Sequence, residues 1–401
     1  MFIRNIQEKH ENGQYRIQAE VEFETIPARE REIIFFSVSA EQAGWIRPEP
    51  NAFMVGTAMA AMWNKETRLE IEGGIDPQLG ARLNMAMRLL SHWHNSPLQP
   101  VSIQAPTTVH PMPATQLTTA LFLSGGVDSL AALYWNTQQY PMGDPRRIGV
   151  AFFVHGLDVG DPNKQDRPDI WALGVQKLSV LCQELGVELV PIKVNLRNLA
   201  RSWYFYAEWQ FASLLAAIAH AASSRIHRCI IAPDNALEYI EHPHGSHPWL
   251  NSYFGADFLD VIAGDMEQFS RLEKIALLSK WPGALDALRV CWDTASIPEN
   301  RLNCGRCAKC VRTMLEFLVC NQLTHSKAFP KNEVTADMLK PIHVRSNVEV
   351  EYFVELISPL EKRGRQDLAA IIKRKLWLFQ TERALGLNYL RPLAKRLLGR
   401  S

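Results

Sequence analysis

Residues 121–129 decide the fold, and they read Leu121-Phe122-Leu123-Ser124-Gly125-Gly126-Val127-Asp128-Ser129. The apolar run before Ser124 predicts the end of a buried strand, and the stretch after Ser129 predicts a helix. Two adjacent glycines allow positive φ angles and a close backbone approach, so the amide groups of this turn can point at phosphate oxygens. The helix N-terminus adds partial positive charge. Residues 124–129 therefore form a candidate phosphate-binding loop.

Asp128 is unusual in an anion-binding turn, because its carboxylate would repel a phosphate unless it also holds Mg²⁺ or caps the helix. We expect one or both of these roles, and we expect Ser124 and Ser129 to donate hydroxyl hydrogens to the ligand. The alternative is an ordinary glycine turn between a strand and a helix. The stretch contains neither Gly-Lys-Ser/Thr nor GxGxxG, so it is not a Walker loop or a dinucleotide fingerprint.

Short apolar runs and helical stretches alternate after this loop. This alternation predicts a parallel sheet with helices on both faces, a doubly wound α/β fold. Strands are expected at residues 120–123, 148–154, 188–194, 229–232 and 260–263, and helices at 129–138, 170–185 and 203–223.

The chain has a different character before residue 110 and after residue 320. A small α+β domain is predicted at residues 1–110, a domain that contains the candidate phosphate-binding loop and a metal site at 117–320, and a basic helical region at 321–401. Strands are expected at 15–24 and 32–38, helices at 52–63, 77–93, 348–360 and 367–385, and a linker rich in Pro and Thr at 105–113.

Four of the seven cysteines have the spacing of a metal site. Cys304, Cys307 and Cys310 form two C-x2-C steps, and Cys291 lies upstream. Four thiolates are typical of structural zinc, although an iron-sulfur cluster accepts the same ligands. A redox pair is disfavoured, because such pairs usually open a helix in a thioredoxin-like unit, which is not what we expect around these residues. The other cysteines, at positions 182, 229 and 320, are expected to be buried thiols.

Composition excludes several classes. With 401 residues, 47% hydrophobic and 21% charged residues and a formal charge of +1, the chain resembles an ordinary globular protein rather than a disordered or strongly polyanion-binding one. No apolar run approaches the roughly 18 residues of a membrane helix. The first residues lack the features of a signal peptide, so we expect a cytoplasmic location and no membrane partner.

The string from Ser124 to Ser129 resembles the SGGxDS signature of the pyrophosphate-loop ATP pyrophosphatases. Together with the four-cysteine spacing, it makes residues 117–320 similar to the 7-cyano-7-deazaguanine synthases. The resemblance implies an adenine nucleotide alpha hydrolase-like sheet of the HUP type. It also implies binding of Mg²⁺ and ATP to the loop, Gly125, Gly126 and Val127 included, with His155 near the adenine. A solvated loop histidine is the alternative for His155.

The resemblance further implies an AMP-forming carbon-nitrogen ligase. Such an enzyme adenylates the carboxylate of a deazaguanine-like substrate, releases pyrophosphate, and lets ammonia attack to give an amide or a nitrile. Arg271, or Lys274, is implied as the cation that neutralises the transition state. Arg271 stands where relatives carry a lysine, and the alternative is a surface charge at the start of a helix.

The chain also departs from these synthases. It is much longer, Leu130 replaces a Ser or Thr that many members carry, and residues 241–248, with three histidines, replace a stretch that helps to recognise the base. Longer relatives occur in antiviral defence operons of bacteria. The physiological acceptor, a protein or a nucleic acid, and the oligomeric state stay open.

Two further functions compete with the ligase. One is a tRNA-modifying enzyme that forms AMP, and the other is a nucleotide-sensing subunit without catalysis. The basic stretch at 362–400 could bind nucleic acid, but we expect a cationic helix face, because Leu376, Trp377, Leu378 and Phe379 are predicted to pack inside.

Overall fold

The computed structural model describes residues 1–109, 117–234, 236–237 and 240–385. The chain forms two compact units. Unit 1 comprises Met1–Phe269 and Ala287–Arg289, and unit 2 comprises Ser270–Asp286 and Val290–Ser401. Part of the predicted linker, residues 110–113, lies outside the described residues, as does the basic tail from residue 386 onward.

A ten-stranded sheet organises the described part of unit 1, and the fold is α/β. Its strands are β1 (Phe2–Glu11), β2 (Gln14–Glu22), β3 (Glu32–Ser39), β4 (Arg68–Ile71), β5 (Ser102–Gln104), β6 (Thr118–Phe122), β7 (Ile148–His155), β8 (Glu188–Val194), β9 (Ile226–Ile230) and β10 (Asp260–Ile262). They lie in the order β10-β9-β6-β7-β8-β3-β2-β1-β4-β5.

The part of the sheet from β10 to β8 is parallel throughout. From β6 the chain moves outward through β7 to β8, then returns to build β9 and β10 on the other side of β6. The strand order therefore reverses between β6 and β9, and crevices at such reversals bind ligands in open α/β sheets.

The first 110 residues extend this same sheet. Antiparallel β3 joins β8 through the residue pairs Phe36 with Val194 and Ser37 with Lys193, and β2 and β1 follow. The sheet is therefore mixed rather than wholly parallel, and the α+β region at residues 1–110 lies within unit 1.

Helices cover the sheet of unit 1. They are α1 (Pro50–Trp63), α2 (Leu79–Trp93), α3 (Val127–Gln139), α4 (Pro168–Glu184), α5 (Trp203–Phe205), α6 (Phe211–Ala221) and α7 (Pro248–Asn251). The helix expected at 203–223 is interrupted by a π-helical turn at Tyr206–Gln210. Helix α1 is buried along nearly its whole length. A Cβ atom added at Gly56 would lie 3.2 Å from that of Ala217, so glycine allows α1 and α6 to pack closely.

Unit 2 is helical in its described part. Its helices are α8 (Arg271–Leu278), α9 (Pro282–Ala287), α10 (Ala308–Val319), α11 (Ala336–Leu339), α12 (Asn347–Lys362) and α13 (Gln366–Ala384). Helix α13 buries Leu368, Ile372 and Leu376. The expectation that Trp377 and Leu378 pack inside is wrong, because their exposed fractions are 61% and 42%.

No helix among the described residues is both long enough and apolar enough to cross a membrane.

Candidate functional site

The phosphate-loop candidate connects β6 to α3 at the point where the strand order reverses. After β6, the amide of Leu123 donates to the carbonyl oxygen of Phe152 at 2.9 Å, which holds the end of the loop strand to β7. Gly125 has a φ of +76°, which favours glycine, and Gly126 is the N-cap residue of α3. The predicted strand, turn and helix are therefore all present.

The two loop serines come together across Gly126. Their hydroxyl oxygens lie 3.2 Å apart, although Ser124 is exposed and Ser129 is buried. The amide of Gly126 donates to Oγ of Ser124 at 3.2 Å, and the hydroxyl of Ser129 donates to the carbonyl oxygen of Gly126 at 3.3 Å. Asp128 is half-buried in the first turn of α3. Hydroxyl groups, glycine amides and a carboxylate thus occupy a single turn.

A segment from much later in the chain supports this turn. The amide of Arg289 donates to the carbonyl oxygen of Gly125 at 2.7 Å. A Cβ atom added at Gly125 would lie 3.6 Å from Cβ of Arg289 and 3.6 Å from Leu178. Sequence reasoning missed this contact, because the two segments share no local pattern.

His155 ends β7 and is held in place by its neighbours. Its Nε2 lies 3.0 Å from Oδ1 of Asp166, and its ring packs edge-on against Trp171 at 5.2 Å between centroids. A Cβ atom added at Gly160 would approach the imidazole to 2.3 Å, so the following loop lies directly against the ring. His155 is thus fixed by contacts with its own loop and with α4.

A buried charge network follows β7 and β8, and the sequence analysis missed it. Arg197 is fully buried, and its Nη1 lies 3.0 Å from Oδ1 of Asp161. The guanidinium lies 4.2 Å from the centroid of Tyr206, whose hydroxyl donates to Oδ1 of Asp158 at 3.0 Å. Burial, followed by the charge of Asp158, raises the pKa of Tyr206. Polar residues just after two parallel strands were the available signal.

The four predicted metal ligands lie together in unit 2. Every pair of their sulfur atoms is within 4.8 Å, and Cys291 to Cys307 and Cys304 to Cys310 each measure 3.8 Å. A tetrahedron with Zn–S bonds of about 2.3 Å has edges of about 3.8 Å, so the donor set fits zinc. Three of the cysteines are buried and Cys307 is half-buried. These residues form a four-cysteine metal-site candidate.

Local backbone geometry orients these thiols. Gly305 has a φ of +70°, and the amides of Arg306 and Cys307 point at Sγ of Cys304, at 3.5 and 3.3 Å. Oδ1 of Asn303 accepts from the amide of Cys291 at 3.2 Å, which joins the upstream ligand to the turn. Hydrogen bonding with Cys291 lowers the pKa of Cys307 to about 7.

The second half of the cysteine cluster lies at the start of a helix. Cys307 is the N-cap residue of the twelve-residue helix α10, and Cys310 lies in its first turn. A helix therefore does begin at these cysteines, but it lies among the other helices of unit 2, and the approach of all four sulfur atoms favours a metal over a redox pair. Outside the cluster, Cys182 and Cys229 are buried as expected, whereas Cys320 is half-buried.

Arg271 and Lys274 belong to unit 2, whereas the loop belongs to unit 1. Arg271 opens α8, and its Nε lies 2.9 Å from Oε1 of Glu316. Only 7% of Arg271 is exposed, and Lys274 is fully buried. Arg271 is therefore not a surface charge.

The histidine-rich segment at 240–248 is partly internal. His247 is buried, its Nε2 lies 2.6 Å from the carbonyl oxygen of Ile240, and its Nδ1 accepts from the amide of Trp249 at 3.1 Å. These two bonds define a neutral ring protonated at Nε2. Residues 235 and 238–239 lie outside the described residues.

Comparisons of the chain with protein-family models, with curated proteins and with solved structures found no match.

Proposed function

We propose that this protein is an AMP-forming, ATP-dependent ligase that joins nitrogen to an activated carboxylate, with a sheet of the adenine nucleotide alpha hydrolase type. The observation that carries the proposal is the turn at residues 124–129. It follows β6, the middle strand of the parallel part from β10 to β8, and stands where the strand order reverses. It combines two glycines, two neighbouring hydroxyls and a carboxylate at the start of α3.

The loop fits a pyrophosphate group. Gly125 has the positive φ that lets successive amides converge on one anion, and the N-terminus of the thirteen-residue α3 adds partial positive charge. Ser124 and Ser129 supply hydroxyl donors. Asp128 would hold Mg²⁺, an oxygen-seeking cation that neutralises phosphate charge. A bare anion site would gain nothing from this carboxylate.

The proposed chemistry balances without a redox step. A carboxylate oxygen of the substrate attacks the α-phosphorus of ATP, the bond to the bridging oxygen breaks, and pyrophosphate leaves with the electron pair. Ammonia then attacks the acyl carbon, loses a proton, and expels AMP to give an amide. In a nitrile-forming enzyme, a second ATP activates the amide oxygen, which also departs on AMP with loss of the two N–H protons.

The role of the protein in these steps is to position charge. Adenylation needs the carboxylate and the α-phosphate in line, with the developing oxyanion neutralised in a preorganised site. The loop would hold the departing pyrophosphate. We propose a structural role for the four-cysteine site with zinc bound, because four protein ligands leave no open position for a substrate.

The test incubates metal-replete protein with Mg²⁺, ATP, ammonia and 7-carboxy-7-deazaguanine, and measures AMP, pyrophosphate and the base product together. AMP and pyrophosphate that form in equal amounts, and only with the base, would support the ligase. Release of ADP and phosphate would contradict it. Saturable ATP binding without turnover on any carboxylate or tRNA would instead favour a nucleotide-sensing subunit.

A further inference from the structure

Unit 2 contains a cavity beside the cysteine cluster that the proposed function does not use. Its volume is about 480 Å³, within the range of small-molecule sites. Trp292 and Cys307 line it, together with Arg306 and with His343 and Arg345 from the segment before α12. Two separate parts of the chain thus contribute to one cavity.

The guanidinium groups of the two arginines of this cavity form no ion pair with a carboxylate of the described residues. Arg306 donates to Oγ of Ser296 at 2.6 Å, but neither Arg306 nor Arg345 forms an ion pair within the described part of the chain. Several arginines elsewhere pair with a nearby acid: Arg146 with Asp144, Arg167 with Asp169 and Arg365 with Asp367. The lining therefore contains two arginines against one acid, Asp293, although the carboxylate of Glu349 also lies close to Arg345, whose amide donates to it at 2.7 Å.

An aromatic surface lies among these cations. Trp292 is half-buried and lines the cavity, and Nζ of Lys309 lies 5.2 Å from the centroid of its ring. The start of α10 also lines the cavity, through Cys307 and Ala308. The side chain of Cys307, the N-cap residue, forms no capping hydrogen bond with the first amides of the helix. An aromatic ring beside cations and helix amides suits a ligand that carries both a flat base and a phosphate.

We propose that this cavity binds one nucleotide of a single-stranded nucleic acid, with the base against Trp292 and the phosphate between Arg306 and Arg345. A cationic groove with aromatic stacking positions is how proteins hold single strands. An acidic peptide would use the cations but would supply no base to stack on the indole.

Charge compensation of a zinc-thiolate cluster could also explain Arg306 and Lys309, which lie next to the ligands in sequence. It does not explain Arg345, which reaches the cavity from residues 341–345. Arg345→Ala therefore separates the two explanations, because a compensating cation would affect metal retention and a ligand-binding cation would not.

The experiment measures fluorescence anisotropy of a labelled single-stranded RNA and its DNA counterpart with the full-length protein at several salt concentrations. Trp292→Ala should weaken binding about tenfold or more, as loss of one stacked base does. Arg345→Ala should weaken binding and reduce the slope of log affinity against log salt by about one. Both variants should retain the metal content of the wild type.

Matched controls come from α13, where Arg374 and Trp377 are exposed. Arg374→Ala and Trp377→Ala should retain wild-type affinity. Asp128→Ala should also bind the strand normally, so the result is independent of the proposed ligase. Loss of binding in the α13 variants but not in the cavity variants would overturn the proposal. So would loss of metal in Arg345→Ala, absence of saturable binding, or equal competition by polyglutamate.

Discussion

The backbone amide of Arg289 donates a 2.7 Å hydrogen bond to the carbonyl oxygen of Gly125, in the middle of the phosphate-loop candidate. This bond fixes the peptide plane that follows Gly125, so the amide of Gly126 is directed by a segment that lies far away in sequence. That amide donates to Oγ of Ser124 at 3.2 Å, so the bond from Arg289 also helps to position the loop serine, and preorganised groups cost little reorganisation when a ligand binds.

Gly125→Ala is expected to weaken ATP binding and to lower the free energy of unfolding by about 1–2 kcal/mol. The cause is backbone strain at a φ of +76°, not a clash, since the nearest atoms to an added Cβ are 3.6 Å away. Gly143→Ala is the matched control, because Gly143 has a φ of +87° and open space around it. Urea unfolding should show similar destabilisation in both variants. ATP titration should show a loss of affinity only in Gly125→Ala. Wild-type affinity in Gly125→Ala would refute this role of the turn.

Asp128→Ala is expected to reduce AMP formation by at least about 100-fold, because the turn would lose its only carboxylate for Mg²⁺. Asp169→Ala is the control: Asp169 also lies in the first turn of a helix, α4, and forms an exposed ion pair with Arg167. The rate of AMP release in both variants is the measurement. Equal activities in Asp128→Ala and the wild type would place the active centre elsewhere.

Cys304→Ser is expected to abolish stoichiometric zinc and to lower the thermal midpoint of unit 2. Its sulfur lies 3.8 Å from that of Cys310 and accepts two amide hydrogen bonds, so oxygen would disturb both contacts. Cys320→Ser, at a half-buried cysteine outside the cluster, should retain about one zinc per chain. Mass spectrometry of the metals measures the content. Iron in the wild type, or unchanged zinc in Cys304→Ser, would contradict the zinc prediction.

Asp161→Asn is expected to destabilise the protein by about 3–5 kcal/mol, because it leaves the buried guanidinium of Arg197 without its partner charge. The double variant with Arg197→Met should recover much of this loss. Asp257→Asn breaks an exposed pair with Arg82 and should cost at most about 1 kcal/mol. Urea denaturation measures all three variants. No recovery in the double variant would show that the pair itself, rather than the uncompensated charge, sets the stability.

Stability should decrease as the pH falls through the titration of His247. Burial lowers the pKa of His247 in the folded protein, with a further contribution from His244. The unfolded chain therefore binds the proton more readily, so this stabilisation is present above about pH 6.5 and is lost on acidification. His247→Gln should make the free energy of unfolding less dependent on pH between pH 7 and 5. His325→Gln, at an exposed position, should leave it unchanged, and equal slopes in all three proteins would disprove the assignment.

The sequence predicted what local patterns determine. The loop, the strands around it and the cysteine cluster were recognisable because glycine pairs, apolar runs and C-x2-C steps act over a few residues. Strand β1 was missed, since its apolar residues Phe2, Ile3 and Ile6 lie among charged ones. The pairing of β3 with β8, and the contacts of Arg197 with Asp161 and of Arg289 with Gly125, join distant segments, and no single-sequence pattern encodes them.

The exposure of Trp377 follows from helical periodicity, which the expectation for residues 376–379 did not apply. Helix α13 places Leu368, Ile372 and Leu376 on its buried face, and the residue after Leu376 must then point elsewhere. A run of four apolar residues in a helix cannot all face one neighbour, because successive side chains are about 100° apart.

Because β8 pairs with β3, the segment that precedes the phosphate-loop candidate covers the lateral edge of the parallel part of the sheet. A truncated protein that begins near residue 117 would have β8 as an exposed edge strand, with the apolar residues Val190, Ile192 and Val194. Exposed edge strands pair with strands of other molecules and cause aggregation. Shortened versions of this protein should therefore be truncated at the C-terminus, not at the N-terminus.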